Sequence, residues 1–307
     1  MTSSRPTEVR IREVGPRDGF QNEPDNIPTS DKIRLIDALG RAGFTHMEVA
    51  SFVRPEVIPQ LADAIEVLEG IDVPSSMLLS VLVPNERGLD HALAQRAYFH
   101  EVGIFVSASD THNQRNVNRP TTETMAANER MLPRILSEGL RCEAIIATSF
   151  GCPFEGRIAV DQVLDLAEQF VEAGAHEIGF GDTTGMANPW QVEEFFGRAF
   201  ERLPGVELTA HFHNTRGQGL ANAVAALNVG CSSFEASFGE LGGCPVPPGS
   251  TGNIATEDLV NMFEEMGVST GIDLPALIEA ARDAQRTLGR SLTSHTLVAG
   301  PVDWQGS

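Results

Sequence analysis

The sequence has only one lysine, Lys32, and only one tyrosine, Tyr98. An aldolase that forms a Schiff base needs a lysine in its active site, but Lys32 falls at the start of the first predicted helix. An aldo-keto reductase would need a tyrosine together with a lysine, and Tyr98 precedes the fourth predicted strand. No G-x-G-x-x-G motif follows a predicted strand, so nothing indicates a dinucleotide cofactor. These shortages exclude Schiff-base aldolases, aldo-keto reductases and enzymes with a dinucleotide cofactor.

Positive charge is also scarce. The chain has 22 Lys and Arg against 42 Asp and Glu, which gives a formal net charge of −20. This balance argues against nucleic acid as a partner and against a polybasic contact with a membrane surface. An anionic ligand would have to be held by a few well-placed arginines and backbone N–H groups.

Long apolar runs are absent, and none approaches the ~20 residues that a membrane span needs. The first residues, MTSSRPTE, contain no apolar segment of the kind found in signal peptides. The four cysteines Cys142, Cys152, Cys231 and Cys244 show no C-x-x-C spacing, so we expect reduced thiols. Together these features predict a cytoplasmic protein with no membrane partner.

The chain does contain a regular alternation of strand and helix patterns. With 307 residues, 41% of them hydrophobic, it is long enough for a large core, and no composition shift divides it. Strands are predicted at 9–14, 46–50, 78–83, 101–107, 141–148, 177–181, 207–213 and 233–238. Helices are predicted at 30–42, with Ser30 as the N-cap, and at 55–68, 86–94, 122–139, 160–174, 189–203, 216–230 and 256–267. Eight such units predict one domain, a (β/α)8 TIM barrel over about 9–267, with an extra C-terminal helix near 275–288 and a tail within 268–307.

One strand carries two histidines, His211 and His213, at a spacing of two. Residues two apart on a strand face the same side, so both imidazoles are either paired metal ligands or histidines of the core or rim. Barrel enzymes place their chemistry at the carboxyl ends of the strands. At that end the sequence also offers an aspartate and an asparagine. One carboxylate, two imidazoles and an amide oxygen suit Mg²⁺ or Mn²⁺, and Zn²⁺ less well.

Several motifs give the sequence a family resemblance. They are VGPRDGFQNE at 14–23, GCPFEG at 151–156, GDT at 181–183, HFH at 211–213, LGGCP at 241–245 and GNIATEDL at 252–259. Together they closely resemble the 3-hydroxy-3-methylglutaryl-CoA lyases over about residues 9–290. The resemblance implies a metal-dependent barrel lyase that cleaves an acyl-CoA into acetyl-CoA and a keto acid such as acetoacetate. It further implies metal ligands at Asp18, His211, His213 and Asn253, and catalytic roles for Arg17, Glu48 and Cys244.

The sequence departs from the family pattern in two places. Gly239-Glu240 stands where the family usually has Ala-Gly, and Asn214-Thr215-Arg216 follows the histidines where Asp-Thr-Tyr is common. Neither departure touches a proposed ligand. The departures do leave the acyl group of the substrate open.

Three other functions therefore stay open. A lyase of the same mechanism could act on citramalyl-CoA or on a longer branched glutaryl-CoA. A Claisen condensing enzyme of the isopropylmalate or homocitrate synthase type shares the Arg17-Asp18-Gly19 start and a segment like 107–112, but not the sequence of 21–23 or the Cys244 loop. A barrel that binds a ligand without catalysis is disfavoured, because every expected ligand is present. The sequence is compatible with a homodimer but does not determine the oligomeric state.

Overall fold

Eight parallel strands form a closed barrel in the computed structural model, which describes residues 5–243 and 252–304. The strands are β1 (Arg10–Glu13), β2 (His46–Ser51), β3 (Leu78–Leu82), β4 (Glu101–Ser107), β5 (Arg141–Ala147), β6 (Glu177–Asp182), β7 (Glu207–Phe212) and β8 (Ser233–Ala236). Each strand pairs with the next, and β8 returns to β1 with Arg12 opposite Glu235. The predicted (β/α)8 barrel is confirmed.

Helices follow the strands and cover the outside of the barrel. They are α1 (Thr29–Arg41), α2 (Ala64–Gly70), α3 (Glu86–Leu93), α4 (Asp110–Val117), α5 (Thr121–Ser137), α6 (Val160–Glu172), α7 (Pro189–Arg202), α8 (Gly219–Asn228), α9 (Thr256–Glu265), α10 (Leu274–Leu288) and α11 (His295–Ala299). The predicted C-terminal helix corresponds to α10, and α11 follows it in the segment predicted as a tail. No helix among the described residues is long and apolar enough to cross a membrane.

The second helix differs most from its prediction. The range 55–68 contains a short 3-10 turn, Pro59–Leu61, and α2 begins only at Ala64. Pro59 explains the difference, because a proline disfavours helical geometry at the residue before it, and Ile58 has φ −133° and ψ 84°. Ser30 does not cap α1 as predicted, since the helix begins at Thr29.

A further helix, α4, was not predicted at all. It is strongly polar and buries only His112 and Asn113. A helix with so little apolar surface gives almost no hydrophobic periodicity to recognise. Its start is nevertheless well defined, because the Ser109 side chain accepts a hydrogen bond from the N–H of His112 at 3.1 Å.

The interior of the barrel is charged rather than apolar. Arg12 is 1% exposed and ion-pairs with four carboxylates from different strands, those of Glu101, Glu143, Glu177 and Glu235. A buried guanidinium is tolerated only when its donors are satisfied, and removing one partner of such a group is costly. The apolar core lies instead between the sheet and the helices, where Phe150, Phe180, Phe195 and Phe212 are fully buried.

Cys142, Cys152 and Cys231 are buried and free, as expected for reduced thiols. Burial raises the pKa of Cys231 to about 12, so this thiol is inert at neutral pH. Burial also raises the pKa of Cys142, so Cys142 and Cys231 serve packing.

Candidate active site

Three predicted metal ligands meet at the carboxyl end of the barrel. Asp18 lies in a single π-helical turn, Gly15–Gly19, just after β1, while His211 is the penultimate residue of β7 and His213 directly follows the strand. Their ligand atoms lie within 4.8 Å of one another, and the two imidazole centroids are 5.1 Å apart. The two histidines thus face one point together with a carboxylate from the opposite end of the chain.

Asn253, the fourth predicted ligand, lies beside these three residues. A backbone bridge with His213 places it beside β7, and its Nδ2 donates to Asp18 Oδ2 at 2.7 Å. Its Oδ1 is buried and has no hydrogen-bond partner among the described residues. The two hydrogen bonds that Nδ2 donates, to Asp18 and to the Leu241 oxygen, set the orientation of the amide. A buried amide oxygen without a partner fits a site that binds a cation. Two nitrogens, a carboxylate and an amide are donors suited to Mg²⁺ or Mn²⁺.

Asp18 is held as a carboxylate. Burial by itself raises its pKa, but Arg17 and the two histidines outweigh that effect, so the pKa of Asp18 is lowered. Gln21 Nε2 donates to Asp18 Oδ1 at 2.8 Å, and Asn22 Nδ2 donates to the Asp18 backbone oxygen at 2.9 Å. An ionised carboxylate fixed in orientation is the form that binds a divalent cation.

Arg17 and Glu48 form an ion pair beside this cluster. Arg17 Nε donates to Glu48 Oε2 at 2.5 Å, and Arg17 Nη1 donates to Asp18 Oδ1 at 2.8 Å. Burial raises the pKa of Glu48 to about 7, although Arg17 acts in the opposite direction. A carboxyl group with a pKa near neutrality can exchange a proton with a substrate at physiological pH.

One residue of the candidate site, Glu235 on β8, was not predicted from the sequence. His211 Nδ1 donates to Glu235 Oε2 at 2.8 Å, and Arg12 Nη1 donates to Glu235 Oε1 at 3.2 Å. Burial would raise the pKa of Glu235, but its contacts with His211 and Arg12 lower that pKa to about 2. In the neutral imidazole, a proton on Nδ1 leaves Nε2 of His211 as the atom with a free lone pair. The available signal was a charged residue within the predicted strand 233–238.

The ends of β4 and β6 carry polar groups that do not belong to the ligand cluster. Asp182 Oδ1 accepts from the N–H groups of Met186 and Ala187 at 2.8 and 3.1 Å. Burial raises the pKa of Asp182 to about 7. Ser107 Oγ lies 3.1 Å from His112 Nδ1, within the first turn of α4. These contacts order the loops at the barrel mouth.

Cys244 lies outside the described residues, as does Gly249 of the predicted glycine-rich loop. At the described start of that loop, Gly239 and Gly242 have φ of +66° and +97°. Residues with a side chain rarely adopt such values, so glycine is favoured at these two positions.

The comparisons with known proteins agree with this geometry. A family model described as HMGL-like matches residues 8–283. A hydroxymethylglutaryl-CoA lyase of Bacillus subtilis is 44% identical over 95% of this chain and 97% of its own length. An (R)-citramalyl-CoA lyase of Chloroflexus aurantiacus is 42% identical over 96% of this chain and 95% of its own. A solved HMG-CoA lyase of Acinetobacter baumannii, in complex with coenzyme A and 3-methylmalate, covers 100% of this chain and 99% of its own at 41% identity and a TM-score of 0.94.

Glu235 supplies the first testable prediction. We expect Glu235→Gln to weaken Mn²⁺ binding by about 10- to 100-fold, because His211 loses the charged group that orients it and raises its basicity. Titration of free Mn²⁺ by electron paramagnetic resonance measures this affinity. Glu101→Gln is the matched control, since Glu101 contacts Arg12 at 2.8 Å in the same barrel interior but does not contact His211. An equal loss in both variants would show that barrel charge in general, rather than the His211 contact, supports binding.

Proposed function

Because this chain belongs to the HMGL-like family, we propose that it is a divalent-metal-dependent carbon–carbon lyase. Its proposed reaction cleaves 3-hydroxy-3-methylglutaryl-CoA, or a close 3-hydroxyacyl-CoA, into acetyl-CoA and a keto acid such as acetoacetate. The observation that carries the proposal is the convergence of Asp18, His211 and His213 at the barrel mouth. Arg17 and Glu48 stand next to this cluster, where a substrate would react.

Asp18, His211, His213 and Asn253 would hold the cation, with Mg²⁺ or Mn²⁺ favoured by the oxygen-containing donor set. When bound, a divalent cation acts as a Lewis acid towards two oxygens of the substrate. Glu235 orients His211 by accepting a hydrogen bond from its Nδ1. Side chains of the protein would carry out the proton transfer and stabilise the enolate oxygen.

The proposed reaction begins with loss of the proton from the C3 hydroxyl group of the substrate. Glu48 is the candidate base, since its pKa of about 7 leaves a large ionised fraction at neutral pH. The oxygen electron pair forms the new C3 carbonyl, the C2–C3 bond breaks, and its electrons pass to the thioester as an enolate.

Arg17 is placed to stabilise the charge that develops on the thioester oxygen. Its Nε and Nη1 are used by Glu48 and Asp18, whereas its Nη2 has no hydrogen-bond partner in the part of the chain that the structure describes. A donor of this kind typically contributes ~3 kcal/mol to an oxyanion transition state. Cys244 or a water molecule would then return a proton to C2 and give acetyl-CoA.

The two named relatives leave two candidate acyl groups. The Bacillus relative is named for hydroxymethylglutaryl-CoA and the Chloroflexus relative for (R)-citramalyl-CoA, and their identities to this chain differ by little, 44% against 42%. Both substrates carry a hydroxyl group at C3 and would release acetyl-CoA. We propose hydroxymethylglutaryl-CoA as the first candidate and citramalyl-CoA as the second, in the cytoplasm.

A substrate panel tests the function directly. The purified protein with Mg²⁺ or Mn²⁺ should release acetyl-CoA from hydroxymethylglutaryl-CoA or from citramalyl-CoA, and chelation of the metal should abolish release. Coupled detection of acetyl-CoA measures the rate. A condensing enzyme would instead consume acetyl-CoA when given a keto acid. No turnover in either direction would contradict the proposal and leave a binding barrel.

Arg17→Met tests the oxyanion role. We expect kcat to fall by about 100- to 1000-fold, because a neutral side chain cannot stabilise the enolate oxygen. Mn²⁺ affinity should change far less, since Gln21 still donates to Asp18 Oδ1 and the two histidines still favour the ionised carboxylate. Steady-state kinetics and Mn²⁺ titration separate the two effects. A fall in kcat of only a few-fold would remove Arg17 from this role, and loss of the folded state in circular dichroism would indicate a structural ion pair.

A further inference from the structure

One residue connects both described ends of the loop that follows β8. Asn214, directly after His213, donates through Nδ2 to Glu240 Oε1 at 2.8 Å. The backbone N–H of Asn214 donates to the Gly252 oxygen at 3.1 Å. Glu240 stands before the loop and Gly252 at its far end, so Asn214 fixes how the two ends lie relative to β7.

The backbone at these two positions is tightly constrained. Glu240 has a φ of +62°, a left-handed conformation that is unfavourable for a residue with a side chain. A Cβ atom on Gly252 would lie 2.0 Å from the Glu240 backbone oxygen, so only glycine fits there. The conformation of Glu240 therefore has to be held by its surroundings. Its backbone N–H donates to the Ser237 oxygen at 3.0 Å, and its side chain accepts from Asn214 Nδ2 at 2.8 Å.

The position of Glu240 in turn determines the surroundings of Asn253. The next residue, Leu241, accepts a hydrogen bond from Asn253 Nδ2 at 3.2 Å, and the same Nδ2 donates to Asp18 Oδ2 at 2.7 Å. A Cβ atom on Gly242 would lie 2.8 Å from Asn253 Nδ2. A shift of the chain at 240–242 would therefore move Asn253 relative to Asp18.

We propose that Asn214 and Glu240 act as a positioning pair that sets the geometry of Asn253 and thereby the cation affinity of the site. The inference rests on the proposed metal-dependent function. It also explains why the two departures from the family pattern occur together. An aspartate at 214 would place its carboxylate in contact with that of Glu240, and like charges at this distance repel. The asparagine is thus matched to the glutamate.

An exchange of donor and acceptor tests the pair. Asn214→Asp leaves two acceptors facing each other, and we expect Mn²⁺ affinity to fall by about 10-fold. Asn214→Asp combined with Glu240→Gln restores one donor and one acceptor, because the glutamine Nε2 can donate to the aspartate. The double variant should therefore bind Mn²⁺ within about 2-fold of the unmodified protein. Paramagnetic resonance titration gives the affinities without any substrate.

Asn188→Asp is the charge control. Asn188 caps α7 by accepting from the N–H of Gln191 at 3.1 Å, and an aspartate can do the same, so only net charge changes. Mn²⁺ affinity should be unchanged in this variant. Asn214→Ala removes the donor without adding charge and should also weaken binding. It keeps the test valid if the Asn214→Asp protein fails to fold.

A kinetic measurement separates positioning from a general structural role. If the pair positions Asn253, raising the Mn²⁺ concentration should recover most of the kcat lost in Asn214→Asp. A double variant that binds Mn²⁺ as weakly as Asn214→Asp would overturn the inference, as would unchanged affinity in both Asn214→Asp and Asn214→Ala. Failure of the unmodified protein to cleave any 3-hydroxyacyl-CoA would contradict the proposed function, while the Mn²⁺ titrations would still decide the inference.

Discussion

The pairing of β1 with β8 is the interaction on which the rest of the site depends. Closure of the barrel brings Asp18 to Asn253, 235 positions apart in the sequence, at a distance of 2.7 Å. It also places Arg12 opposite Glu235, so that β1 and β8 share one layer of the interior. An open sheet would leave its first and last strands at opposite edges. The proposed metal site therefore exists only because the sheet closes.

Closure has an energetic cost, because the interior that it creates holds charges away from water. Arg12 and its four glutamates offset this cost by pairing with one another. Glu235 belongs both to this network and to the hydrogen bond with His211. The charged core thus does more than fill the barrel, since one of its members orients a proposed ligand. The same carboxylate links the stability of the barrel to the chemistry at its mouth.

Most of the fold could be predicted from the sequence, because strand and helix patterns alternate strongly. The predicted strand 101–107 has the observed bounds, and the other predicted strands differ at one end or both by one or two residues. The predictions of helices failed where the hydrophobic pattern was weak or where a proline interrupted it. Pro59 interrupts the second helix, and the polar α4 lacks an apolar face.

The proposed ligands could be identified because they stand in recognisable motifs at strand ends. Glu235 and the Asn214–Glu240 contact could not, since each depends on a side chain meeting a partner from another strand or loop. Glu235 belongs to none of the recognised motifs, and Asn214 and Glu240 stand out in the sequence only as departures from the family pattern. Hydrogen bonds between strands require the register and the closure of the barrel, which the sequence patterns do not supply. Positions that support a site are therefore harder to predict than those that form it.

The most direct test of the account is to determine which nitrogen atoms bind the cation. Electron–nuclear double resonance of the Mn²⁺-loaded protein should show nitrogen couplings from two imidazoles, with one coupling lost in His211→Ala and the other in His213→Ala. Such a spectrum would place the ion between β7 and Asp18, as the convergence of these side chains requires. A spectrum without histidine nitrogen couplings, or one unchanged by both substitutions, would contradict the central claim.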